Sequence, residues 1–276
     1  MTTFSNGDQE TFRKFEHSGW ETAANEYHRL WGNLSRQAVA RLLDAARIAR
    51  GHRVLDVATG AGYAAAAAAA RGAHAIGLDF SLAQVELARK EYPDVEFVQG
   101  DMEELPYPGE HFDAVVMNFG LLHSLRPEVV AQDAFRVLKS GGRFAFTVWA
   151  APDISASFRI VLGAIEKHGN LDIPLPPAQP YFRFSDRQEC LNLLSKTGFV
   201  DFHFEIVPLV WQLASPEILF QAFYQGAVRA TVILHNQSEQ ALQAIRPEVL
   251  RGCEEFRTGD GVAVPVGASL AAGSKS

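Results

Sequence analysis

The sequence predicts an α/β protein: a doubly wound, seven-stranded, mostly parallel sheet carrying helical lid insertions. Three observations predict it. Five short apolar runs, "RVLDVA", "GAHAIGLDF", "VEFVQGD", "FDAVVMNF" and "GGRFAFTVWA", alternate with segments of helical period. They are apolar nearly throughout, as strands covered on both faces must be. Two later runs, "VDFHFEIVPLVWQL" and "GVAVPVGASLAAG", bring the count to seven.

Each element follows from its residues. Residues 33–50 put Val39, Leu42, Leu43 and Ala46 on one helical face, and Gly51 follows as a stop. The alanines 64–70 form a helix after the first strand, because alanine is the best intrinsic helix former and its short side chain lets the helix lie close on a sheet. Ser81 and Gln84 have capping-box spacing at the next helix start, and Pro93 halts that helix. Pro127 suits a first helical turn; Val130, Ala134, Val137 and Leu138 form that helix's apolar stripe, and Gly141 and Gly142 end it. Beyond Trp149, residues 151–170 read as a helix and 171–184 as a proline-rich extended segment. Residues 185–198 read as a helix with a Ser185/Gln188 cap and a terminal Gly198. Residues 215–256, opening on Ser215 and Pro216, read as helical.

Composition narrows the function. The chain has 276 residues, is 47% hydrophobic and carries a formal charge of -7. Nothing in that balance attracts a phosphate backbone, so no nucleic acid is expected as partner. The N-terminus lacks the continuous apolar segment of a signal peptide, and no run is long enough for a membrane span; a cytoplasmic location is expected. Cys190 and Cys253 lack metal-ligand or disulfide spacing, so no metal is expected.

The chemistry gathers in "VLDVATGAGYAA", residues 54–65. Gly60 and Gly62 stand where a strand turns sharply into a helix, so backbone N–H groups and the positive helix start are open to a ligand. The pattern satisfies Gly-x-Gly-x-x-Ala of dinucleotide sites, a signal shared by many proteins. Asp56, however, stands just before the turn, where it opposes a phosphate and attracts an ammonium. Asp79 and Asp101 follow at the ends of the second and third strands, the edge where open α/β sheets bind ligands. A cationic, phosphate-free nucleoside fits these acids better than a dinucleotide.

"VLDVATGAG", "GLDFS", "GDMEELPYP", "FDAVVMNFGLLHS" and "RVLKSGGRFAFTVWA" occur in that order. In them the chain resembles the class I S-adenosylmethionine-dependent methyltransferases, and within these the small-molecule branch that includes ubiquinone and menaquinone biosynthesis enzymes. The likeness covers about residues 25–150. It implies the Rossmann-like methyltransferase fold, with a helical segment over the active site (1–50), an S-adenosylmethionine-binding core (51–150), and the rest of the sheet (151–276) with lid insertions at about 151–184 and 215–256. It also implies S-adenosyl-L-methionine as cofactor. Thr59, Gly60, Ala61 and Gly62 would line its methionine part, while Asp56 orders the loop or meets the amino group through water. Asp79 would accept from both ribose hydroxyls, Phe80 would flank the adenine, Asp101 and Met102 would hold its edge and face, and Asn118 and Phe119 would lie beside the sulfonium. Ala58 replaces the usual first glycine, and its methyl is expected to narrow the loop slightly.

The implied reaction is direct methyl displacement, O-, N- or C-directed, onto a small, largely apolar molecule such as a secondary metabolite, quinone precursor or lipid-like compound. His123, just past the fourth strand, is the candidate base, with Tyr27 of "NEYHRLWG" a second catalytic candidate; a loop-bonded histidine and a core tyrosine are the structural alternatives. Trp31, Tyr181, Phe223 and Tyr224 are candidates for the acceptor pocket, against a role in the lid core or a dimer contact. A monomer or homodimer is expected. Two other readings stay open: the same fold put to a non-methylating reaction or serving as a non-catalytic partner, and a nicotinamide-dependent oxidoreductase.

Overall fold

The parallel strands form where the sequence turns apolar. In the computed structural model, which describes residues 4–276, they are β1 (Arg53–Val57), β2 (His74–Asp79), β3 (Glu96–Gln99), β4 (Phe112–Asn118) and β5 (Leu138–Trp149). β6 (Val200–Leu213) and β8 (Gly261–Ser274) complete seven long strands, and the two-residue β7 (Arg257–Thr258) pairs with β8. The order is β3-β2-β1-β4-β5-β8-β6, with β8 antiparallel to both neighbours and β1 to β5 mutually parallel. The order reverses between β1 and β4, the switch point outside whose strand ends ligands bind in such sheets.

Both faces are covered, and β4 shows why its run is continuously apolar. Ala114 and Val116 pack into one layer; Val115 and Met117 pack into the other. The first layer holds α2 (Val39–Ala45), α3 (Tyr63–Ala70) and α6 (Ala156–His168); the second holds α5 (Pro127–Val137) and α7 (Arg187–Thr197). Residues 215–256 form α8 (Pro216–Gln225), α9 (Val228–His235) and α10 (Glu239–Gly252). Leu219, Phe223, Leu234, Ile245 and Val249 from these helices are buried in the first layer, so the segment is a wall of the fold as well as a cover.

Most of the N-terminal helical segment expected over residues 1–50 is one long helix. α1 (Asn6–Ser35) spans 30 residues and opens on a reciprocal box between Ser5 and Asp8. Its buried stripe runs through Phe12, Glu16, Trp20, Ala23, Leu30 and Leu34, so a carboxylate interrupts the apolar pattern. The single helix expected over 33–50 is divided: α1 ends at Ser35, a tight turn covers Arg36–Ala38, and α2 ends at Ala45. Arg47 takes a left-handed φ of 54° and closes the chain off before Gly51.

Three helix ends also differ. α4 (Leu82–Glu91) has half of the expected box: Ser81 Oγ accepts from Gln84 N at 3.3 Å, while Gln84 Oε1 is buried without a partner. α5 ends at Val137, and Gly141 and Gly142 lie inside β5, where the register to β4 shifts. α7 is capped by Asp186, which accepts from Glu189 N at 3.0 Å, while Ser185 lies one residue earlier and its Oγ donates to Phe182 O at 2.7 Å. Among the described residues no helix is long and apolar enough to cross a membrane.

Candidate functional site

A cleft opens above the ends of β1, β2 and β4, with about 800 Å³ of space that is partly open to solvent. Its floor is the β1–α3 turn: Ala58, Thr59, Gly60 and Ala61. Gly60 needs its freedom for conformation, with φ at 53°, and its missing side chain leaves open space up to Gln84 Oε1. Gly62 has another reason. Its φ is 85°, and a Cβ there would stand 2.6 Å from the Phe97 ring, so it serves packing against β3 and does not line the cleft. Ala58 adopts a φ of 54°, a strained conformation for a residue with a side chain, and its methyl sits where a Cβ on Gly120 would come within 2.6 Å. The consequence of losing the first glycine is therefore backbone strain and a small partner at Gly120.

Two buried carboxylates hold this floor. Asp56 is fully buried; its Oδ2 accepts from Thr59 Oγ1 at 2.6 Å and Ala65 N at 2.9 Å, and burial lifts its pKa to about 7. It lies beneath the loop, outside the cleft, with its hydrogen bonds directed to the loop and the start of α3; its Oδ1 has no partner. Asp79 lines the cleft at the end of β2. One oxygen accepts from Ser81 N at 3.0 Å and the other from Gly60 N at 2.9 Å, and burial raises its pKa to about 6. Each oxygen keeps a lone pair free, so the carboxylate can accept from a vicinal diol.

The remaining lining comes from the rim. Phe80, Met102, Phe119 and the backbone at Gly100 supply apolar walls, and Phe119, at a left-handed φ of 60°, stacks on Trp149 at 3.7 Å. Asp101 lines the cleft but is ion-paired with Arg13 of α1. Asn118 also lines it, yet its amide donates to Ser35 O at 3.1 Å and its carbonyl accepts from Thr147 Oγ1 at 2.7 Å, tying α1 to β4 and β5. A buried Gln84 Oε1 lacking a donor faces the space beside Gly60. Diol acceptors, apolar walls and an orphaned acceptor together suit a nucleoside bearing a positive charge.

α1 roofs the cleft with Trp20 and Tyr27, whose rings meet edge-to-face at 5.0 Å, and His123 completes the roof. Burial pushes the Tyr27 hydroxyl well above the usual phenol range, so at physiological pH it is a neutral phenol and no base. The four acceptor-pocket candidates are placed elsewhere. Trp31 is 2% exposed, donates to Ala222 O at 3.0 Å and packs among Trp149, Trp211 and Phe223. Phe223 is buried in the same cluster, and Tyr224 packs against Phe220 and His235. Tyr181 packs on Phe158 and Phe182, and Trp31 stacks on Tyr27 at 6.0 Å. None of the four lines the cleft. Sequence reading missed Trp20, Ser35, Tyr63 and Gln84 as lining residues; for Trp20 the signal available was its place on the α1 stripe.

Residues 55–146 match the methyltransferase domain family. Over those residues the chain resembles a methyltransferase domain. A demethylmenaquinone methyltransferase of Clavibacter sepedonicus is 37% identical over 128 residues, covering 45% of this chain and 49% of that protein. A ubiquinone/menaquinone biosynthesis C-methyltransferase of Sinorhizobium fredii is 38% identical over 125 residues, covering 42% and 46%. The chain thus spans about half the length of the curated relatives it matches. The methyltransferase fold extends over nearly the whole chain. Phosphoethanolamine N-methyltransferase 2 of Haemonchus contortus, solved with S-adenosylhomocysteine, superposes with a TM-score of 0.57 at 19% identity, covering 96% of this chain and 60% of that one. An S-adenosylmethionine-dependent methyltransferase of Thermotoga maritima gives 0.54 at 20% identity, covering 95% and 100%.

Proposed function

We propose that the protein transfers a methyl group from S-adenosylmethionine to a small, largely apolar molecule. The observation that carries this reading is Asp79: a buried carboxylate at the switch point, with a backbone N–H on each oxygen and lone pairs left for a ribose diol. When bound, S-adenosylmethionine supplies a methyl group on a cationic sulfur, open to direct displacement by an acceptor's lone pair or carbanion. The chain's own residues do the holding. Ala61 leaves backbone open to the amino-acid part while the Gly60 N–H holds Asp79, Phe80 and Met102 offer faces for the base, and Phe119 closes the inner wall. Trp20 and Tyr27 keep water from the reacting atoms, and exclusion together with alignment supplies much of the rate in such transfers. The likeness to quinone methyltransferases supports an apolar ring as acceptor.

Calorimetry tests the donor half: S-adenosylhomocysteine is expected to bind and NAD not to. Mass spectrometry of cell extract incubated with protein and a deuteromethyl donor tests the transfer. Tight NAD binding without heat from the sulfur nucleoside would overturn the reading.

A further inference from the structure

α1 carries more than a roof over the cleft. Glu16, 1% exposed, lies one turn from Trp20 on the buried stripe. Its Oε2 accepts from Trp20 Nε1 at 3.2 Å and lies 2.9 Å from His123 Nδ1. The Trp20 indole meets the His123 ring edge-on at 4.9 Å. A carboxylate only accepts, so His123 Nδ1 carries a proton, and in the neutral imidazole Nε2 keeps its lone pair. Among the described residues Nε2 has no hydrogen bond, and His123 lines the cleft beside Asp79, Phe119 and Gly120. Glu16 Oε1 is buried with no partner, as is Nη1 of Arg229 on α9, which lies within electrostatic reach of Glu16. A buried carboxylate with an unmet oxygen costs stability, and an apolar residue at this stripe position would pack at lower cost.

We propose that Glu16 is the positioning residue of a Glu16–His123 dyad, and that the acceptor is accordingly a compound whose hydroxyl must lose its proton: a phenol, hydroquinone or enol. The proposal rests on the methyl-transfer reading above. The hydroxyl proton moves to His123 Nε2. The electron pair on that oxygen, or on a ring carbon conjugated with it, forms the bond to the methyl carbon, and the C–S pair stays on sulfur as the thioether; after attack by carbon, the hydrogen on that carbon leaves as a proton to solvent and the oxygen takes one up, which restores the ring. The imidazolium is stabilised by the Glu16 carboxylate and returns its proton to solvent. Trp20 keeps Glu16 in register through its indole N–H. The charged groups facing the dyad are Asp79 from β2, Asp101 paired with Arg13, Glu103 paired with Arg126, and Arg229 with Tyr181 behind Glu16.

Nitrogen-15 imidazole spectra of the whole protein report the tautomer directly. Wild-type His123 is expected in the Nδ1–H form, and Glu16→Ala is expected to shift it toward Nε2–H. Glu16→Gln keeps the shape and decides the case if Glu16→Ala does not fold. With a naphthohydroquinone as probe and a deuteromethyl donor, His123→Asn should lower kcat about a hundredfold and Glu16→Ala about tenfold or more, each with KM within about twofold. The residual rate in both should climb with pH as the probe ionises. S-adenosylhomocysteine affinity should stay within about twofold in both Glu16 variants. An Nε2–H tautomer in the wild type, or no change of tautomer and pH profile in the Glu16 variants while the donor still binds, overturns the dyad alone. Methylation of an aliphatic amine probe with none of the hydroquinone overturns the acceptor class. Failure of the wild type to bind S-adenosylhomocysteine overturns the parent reading instead.

Discussion

The two halves of the cleft are built in opposite ways. The floor and the Asp79 carboxylate come from one continuous stretch, residues 56–84, in which Asp56 and Asp79 accept backbone N–H groups from residues 2, 9 and 19 positions away. The roof is assembled from α1 and from the turn after β4, where Glu16 meets His123 across 107 positions of sequence. Residues that hold a loop can be read from their spacing along the chain. Residues that meet across the fold depend on how a whole helix is laid down, and α1 is laid down by its packing on α4 as well as on β6, α8 and α9.

Four measurements sharpen or break that contrast. The largest effect belongs to Trp31, which joins α1 to the distant half of the chain: Trp31→Ala should cost about 3–5 kcal/mol of stability by chemical denaturation. Its S-adenosylhomocysteine affinity should remain near wild type, and a native melting profile with lost donor binding would place Trp31 in the site. Next is Asp79→Ala in the local half, expected to weaken S-adenosylhomocysteine about a hundredfold by calorimetry, since two hydroxyls lose a charged partner. Unchanged affinity would remove Asp79 from the ribose role.

Gly62→Ala should destabilise by about 1–3 kcal/mol, since the left-handed backbone and the Phe97 ring both oppose a Cβ. Melting several degrees lower, with partial recovery on adding Phe97→Leu, would assign the effect to packing. The smallest effect is a pH slope. Asp56 keeps its proton in the folded chain up to about pH 7, against an ordinary value of 3.8, so the folded state binds more protons between those values. That contribution is fully present below 3.8 and is lost as pH rises through about 7. Asp56→Asn should therefore flatten the fall in stability over this window, and an unaltered slope would mean that Asp56 is ionised when folded.

The local half was largely legible. The strand runs, the alanine helix and the acids at the strand ends follow from period and position, and Asp79 stands at the β2 end as its place after an apolar run requires. Legibility failed where a neighbour in space changed the outcome. Ser185 is the better cap by spacing, yet it closes the tight turn Arg183–Ser185, and Asp186 caps the helix that starts one residue later. The stripe of α1 escaped notice because Glu16 interrupts it, and that interruption becomes intelligible only beside His123.

By itself the sequence determined the sheet, its winding and the donor-side turn, because strand period, glycine freedom and carboxylate placement act over a few residues. Tertiary structure alone decided which aromatics line the cleft and which fill the core. Trp31, Phe223 and Tyr224 have the composition of a pocket wall, but a side chain's neighbours are set by the docking of α1 against α8 and β6. That docking sums many weak contacts between segments some 180 residues apart, as in the bond from Trp211 to Leu30.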